Sequence, residues 1–101
     1  MVKTTKKKRT KRINLLKKKL PDEKGFVLND GNVINSVKDL ALYMDNMGDD
    51  LFYYHVNDDK NDFSNWLRDV VEEMELAESL MSAKEKHDFQ MRLLKHIVKH
   101  V

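Results

Sequence analysis

The apolar residues of this chain are confined to one part of it, and that placement limits what it can fold into. Six of them (Met1, Val2, Ile13, Leu15, Leu16, Leu20) fall in residues 1–24, and the other 35 follow. Only the later part can build a core. Charge divides at the same place: residues 1–24 hold 11 Lys and Arg against Asp22 and Glu23, net +9, while residues 25–101 hold 8 against 15, net −7. The overall +2 therefore hides a basic arm joined to an acidic body. From Phe26 onward the body can bury roughly 60–65% of its unfolded surface, enough for a small domain of modest stability.

Composition removes several classes. With no cysteine there is no disulfide framework, thiolate metal site or cysteine nucleophile. The longest apolar run, Leu40 to Met44, is too short to span a membrane or form the core of a signal peptide, so a soluble, cytoplasmic protein with no membrane partner is expected.

Pro21, Gly25, Gly31 and Gly48 all stand where the hydrophobic pattern breaks. Residues 26–28 and 33–34 flank Asn29-Asp30-Gly31-Asn32, whose Asp-Gly pair predicts a short β-hairpin. Ser36 with Asp39 resembles a capping box and opens a helical stripe of Val37, Leu40, Ala41 and Met44 that ends near Gly48. Asp49-Asp50 starts a short second helix with Leu51, Phe52 and Val56 as its apolar members. Asn61 or Asp62 caps a third, with Phe63, Trp66, Leu67, Val70 and Met74 on one face. Leu76, Ala77, Leu80 and Met81 give a fourth. Ser82 with Glu85 is read as a capping box for a long last helix, with Met91, Leu94, Val98 and Val101 on its main stripe and Leu93 and Ile97 beside it. The fold class expected is mainly α (α+β): an N-terminal hairpin, then four to five helices in a compact bundle, preceded by the arm.

Within the arm, residues 3–12 carry seven cations (Lys3, Lys6, Lys7, Lys8, Arg9, Lys11, Arg12) and no apolar or acidic side chain, a composition that predicts disorder. In residues 13–20, Ile13, Leu16 and Leu20 recur at helical spacing around Lys17, Lys18 and Lys19, which predicts a short basic amphipathic helix stopped by Pro21. These ten cations are the candidate nucleic-acid contacts. Seven cations in ten residues can displace counterions from a phosphate backbone, and no aromatic is present to stack on a base. A solvated tail, or one folded back on the acidic body, is the plainer alternative, and the opposite charges also allow self-association.

One stretch of the body is chemically denser. It runs Phe52-Tyr53-Tyr54-His55-Val56-Asn57, then Lys60-Asn61-Asp62-Phe63 with Trp66 three further on, Arg68, and Asp69-Val70. His55, Asn57, Asn61 and Asp62 are of the types that cap helices and satisfy loop amides above buried Phe63 and Trp66. The functional alternative is a recognition surface for a protein partner built on His55, Asn61, Trp66 and Arg68, with the arm incidental.

This run resembles a family of small archaeal and bacterial domains sharing a Phe-x-Tyr-His-Val-Asn segment, a few polar residues, then Lys-Asn-Asp-Phe-x-x-Trp and an apolar-x-Asp-Val ending. Residues 52–71 match closely and the wider resemblance spans 26–81, leaving out the arm and most of the last helix. The resemblance implies a shared fold, a shared polar motif and a prokaryotic, cytosolic origin. It carries no activity.

Metal and catalytic signatures are absent at the level of local spacing. A calcium loop begun at Asn57 would place Asp62 where glycine is needed and Arg68 where the bidentate glutamate is needed. His96 and His100 stand at i, i+4, yet Ile97-Val98-Lys99 lie between them, so the pair lacks the adjoining glutamate of H-E-x-x-H and reads as surface histidines. Three glycines allow no phosphate-binding loop, and no G-x-S-x-G occurs. The expectation is a non-enzymatic binding protein with no cofactor and no metal. The arm would contact DNA, RNA or a ribonucleoprotein without sequence preference, with the body as an interaction module.

Overall fold

The computed structural model describes residues 19–100. The expectations for Lys3 to Lys18, including nearly all of the 13–20 helix, and for Val101 lie outside the described residues. Lys19 and Leu20 stand outside any helix.

The body is mainly α with a small hairpin. A single 3₁₀ turn, Asp22–Lys24, leads into β1 (Phe26–Val27), which pairs antiparallel with β2 (Val33–Ile34) in the register Phe26↔Ile34 and Val27↔Val33. Gly31 turns the hairpin at φ +94°, a conformation that a side chain disfavours. Asp30 locks the turn by accepting from the Asn32 backbone N–H at 2.9 Å, and the Tyr43 hydroxyl donates to the same carboxylate at 3.0 Å. Gly25 is required for another reason: a Cβ there would lie 2.6 Å from the Val33 side chain and 3.0 Å from the Ile34 carbonyl oxygen.

Five α-helices follow among the described residues: α1 (Val37–Tyr43), α2 (Asp49–His55), α3 (Asp62–Trp66), α4 (Met74–Met81) and α5 (Lys86–Lys99). Ser36 caps α1 by accepting from the Asp39 N–H, and Asn61 caps α3 by accepting from the Ser64 N–H, as the sequence predicts. One core joins all of them. Phe52, Phe63 and Phe89 sit at its centre, fully buried, with Leu40, Met44, Met47, Leu67, Leu76, Leu80 and Leu93 around them.

Four expectations need correction. After α3 the chain widens into a π turn, Leu67–Val71, closed by Glu72 at φ 65° with the Glu72 and Glu73 N–H groups both donating to the Leu67 carbonyl. A π turn holds more residues per turn than an α-helix, so it is Val71 that returns to the core while Val70 and Met74 face outward. In α4, Leu76, Ala77 and Leu80 are buried as expected but Met81 is exposed, and Ala83 takes the next buried place. In α5 the inward face is Phe89, Leu93 and Ile97, with Met91, Leu94 and Val98 outward, because the Phe89 ring docks edge-on against Phe52 and Phe63 and fixes the helix rotation. Ser82 does not cap α5. It ends α4, donating to the Ser79 carbonyl, and α5 starts from Glu85 with no side-chain cap.

The left-handed Glu72 marks a position where a side chain is strained. Glu72→Gly is expected to leave thermal stability unchanged or raise it by up to about 1 kcal/mol, whereas Glu72→Val lowers it by about 1–2 kcal/mol. Equal melting temperatures for the two variants would contradict this account of the turn.

Candidate functional site: the His55 to Arg68 motif

The motif begins at the C-terminus of α2 and ends in the π turn. Between α2 and α3 the chain makes a tight reversal, with Val56 and Asn61 bridged antiparallel and the Asn57 N–H donating to the Lys60 carbonyl at 2.9 Å. Asn57 organises that reversal. Its Oδ1 accepts from the Asp59 N–H, and its Nδ2 donates to the carbonyls of Tyr53 and Tyr54.

His55 is buried beneath the reversal, with its ring edge-on to Phe26 at 5.1 Å between centroids and tilted against Phe63 at 5.3 Å. Its Nε2 accepts from the Asn29 backbone N–H at 3.0 Å, so the hydrogen of the neutral ring sits on Nδ1 and is donated to Asp62 Oδ2 at 2.9 Å. Contact with Asp62 is therefore a hydrogen bond that also fixes the tautomer. Lys60 reaches the same Asp62 oxygen at 3.0 Å and lies over the Tyr54 ring, 4.4 Å from its centroid. Partial burial pushes the Asp62 carboxyl up, but the hydrogen bonds from His55 and Lys60 outweigh it and hold the carboxyl below its ordinary value.

Asn61, buried, serves two helices at once: Oδ1 caps α3 while Nδ2 donates to the Leu80 carbonyl of α4 at 2.9 Å. Ser64, one turn on and also buried, donates to the Ala77 carbonyl at 3.0 Å. Phe63 is fully enclosed. Trp66 is 6% exposed, and its indole N–H donates to the Lys24 carbonyl at 3.0 Å, fixing the connection from the 3₁₀ turn to β1. Arg68 differs from all of these, being exposed and paired with its neighbour Asp69 through Nε at 2.9 Å and with Asn65.

The structure thus brings His55, Asn61, Asp62, Phe63 and Trp66 together around one ring cluster, and places Arg68 on the outside. No buried side-chain nitrogen or oxygen among the described residues lacks a partner. Sequence reasoning missed Asn29, whose backbone N–H holds His55, and Lys24, whose carbonyl holds Trp66, because backbone groups carry no residue signature. It also missed a second cluster. His96 is buried, not solvated as the local spacing suggested, and with half-buried His100 and exposed Glu75 it offers three potential ligand atoms within 4.8 Å of one another. Glu75 lies on a different helix, so no local spacing could reveal it.

Of the ten candidate phosphate contacts, Lys19 alone is among the described residues. Its side chain is 68% exposed and its amine stands 4.0 Å from the Asp39 carboxylate, a pair of little energetic weight. No helix among the described residues is long and apolar enough to cross a membrane. Compared with protein-family models, with curated proteins and with solved structures, the chain matches none.

The depressed Asp62 carboxyl links the motif to acid stability. A carboxyl whose folded pKa lies below its unfolded one contributes stability that is complete above the unfolded value, about pH 4, and is lost as pH falls through the folded value. Urea unfolding of the native chain is expected to weaken over that acid window. Asp62→Asn should be less stable at neutral pH and flatter below about pH 4; a parallel pair of pH profiles would contradict the assignment.

Proposed function

We propose that this chain is a non-enzymatic nucleic-acid-binding protein that grips the phosphate backbone through Lys3, Lys6, Lys7, Lys8, Arg9, Lys11, Arg12, Lys17, Lys18 and Lys19, without reading sequence. The observation that carries this reading is the charge division: nine cations and no carboxylate side chain in residues 1–18, ahead of a body that is strongly acidic. A phosphate backbone rewards cation density alone, through release of its condensed counterions, and needs no shaped pocket.

The root of the arm supports the reading. Leu20 is tied to Asn35 twice, by its N–H donating to the Asn35 carbonyl at 2.9 Å and by its carbonyl accepting from Asn35 Nδ2 at 3.1 Å. The chain is therefore anchored to the body at Leu20, and the Lys19 side chain beside it is mostly exposed. The acidic body would repel phosphate and confine contact to the arm. DNA, RNA and ribonucleoprotein all present the chemistry concerned, and in a prokaryotic cell a cytoplasmic location is compatible with all three.

The rival reading, a protein-protein adaptor using residues 52–70, has less exposed chemistry to work with. Of the four side chains it would use, His55, Asn61 and Trp66 are buried and Arg68 is exposed.

Titration of labelled duplex and single strand with the full chain should give affinity that falls by about 10³-fold or more between 50 and 200 mM salt, as for a protein making roughly six or more phosphate contacts. Deleting residues 3–12 is expected to remove that binding while the melting temperature of the body stays unchanged. Equal binding by the deleted chain would rule out the arm, and a partner lost on Arg68→Ala with nucleic-acid affinity intact would favour the adaptor.

A further inference from the structure

At the end of the molecule formed by α4 and the C-terminal half of α5 there is an open groove of about 570 Å³. Glu75 borders it from α4, His96 from α5 and His100 from the position that caps the end of α5. The two histidines are one helical turn apart, and their ring centroids are 4.2 Å from each other. With Glu75 they present three donor atoms, one from each residue, all within 4.8 Å of one another. We infer that Glu75, His96 and His100 form a binding site for a divalent transition-metal ion of the zinc class.

Donor chemistry selects the ion. Two imidazoles and one carboxylate, in a chain with no thiol, suit zinc and its neighbours, whereas calcium and magnesium prefer oxygen throughout. Ligand bonds of about 2.0–2.2 Å place donors around a tetrahedral ion roughly 3.4 Å apart, so the cluster, within 4.8 Å, must close by up to about 1.4 Å. Glu75 can supply that closure, because it is exposed and its side chain is free to change rotamer. The set leaves one tetrahedral position open for water.

Outer contacts already orient both rings. His100 Nδ1 lies 2.8 Å from the His96 backbone carbonyl, which can only accept, so Nδ1 carries the hydrogen and Nε2 of the neutral ring presents its lone pair. His96 Nε2 lies 3.3 Å from Glu73 Oε1, the carboxylate–histidine pairing that fixes ring orientation at metal sites and strengthens the ligand. The groove is also bordered by Arg92, Lys95 and Lys99, whose charge opposes a dication. Arg92 is paired with Asp88 at 3.2 Å. Lys95 and Lys99 are exposed and can carry their amines into water, while Glu73 and Glu75 offset them at the site itself.

The test is calorimetric titration of the untagged, metal-stripped full chain with zinc sulfate, alongside thermal unfolding with and without the ion. One equivalent should bind and raise the melting temperature, because an ion that binds only the folded chain stabilises it. His100→Ala and Glu75→Gln, both at positions outside the core, should keep the metal-free melting temperature and each lower zinc affinity by at least about tenfold. His87→Ala, exposed on the same helix and away from the groove, should bind as the parent does. Absence of saturable one-to-one binding, or equal affinity in the parent, His100→Ala and Glu75→Gln, would overturn the assignment.

Discussion

The architecture turns on the ring of Phe63. It meets four other rings, those of Phe26 on the hairpin at 4.9 Å, His55 at 5.3 Å, Phe89 on α5 at 5.6 Å and Phe52 on α2 at 6.4 Å between centroids. Helix α3 is five residues long, too short to be stable on propensity, so it exists because this side chain is buried. Enclosing a phenylalanine there draws one strand and three helices onto one point, at a gain of about 1.5–3 kcal/mol for the side chain alone. The polar part of the motif follows from that burial. Bringing α2, α3 and the hairpin turn so close removes water from their ends, and His55, Asn61 and Ser64 supply the hydrogen bonds that water would have made.

Where a local rule decides the outcome, the sequence was legible. Ser36 and Asn61 cap helices because a short side-chain oxygen three residues before an orphan N–H needs no tertiary context. Asp30-Gly31 turns the hairpin for a similarly local reason. Legibility failed where distant packing overrode the period. The π turn breaks 3.6-residue counting at Leu67, whose carbonyl accepts from both the Glu72 and Glu73 N–H groups, and no residue type within 62–74 announces it because the contact is between backbone atoms. The rotation of α5 departs from the expected stripe for a related reason: Leu93 and Ile97 fall on the same face as Phe89, and that aromatic ring outweighs the stripe of Met91, Leu94 and Val98.

The candidate sites divide along the same line. The polyanion contact proposed for the arm rests on composition alone, which needs no coordinates. In the His55 motif the residue types are visible in the sequence but their partners are not, because Asn29 and Lys24 contribute backbone atoms from 26 and 42 residues away. The Glu75, His96 and His100 cluster was half visible: the helical spacing of the histidines stood out, but the carboxylate that completes it comes from α4 and enters through tertiary packing.

This division has a consequence for how substitutions act. Polar atoms of His55, Asn57, Asn61 and Asp62 are engaged inside the fold, so a change there unpairs a neighbour and appears first as lost stability. The role proposed for the arm rests on its charge, so changes there are expected to act through long-range attraction. At the groove, His100 and Glu75 lie outside the apolar core and His96 lies within its margin. Stability and the two proposed binding roles thus fall to different residues, and a substitution that moves one without the other identifies which layer of the molecule it has reached.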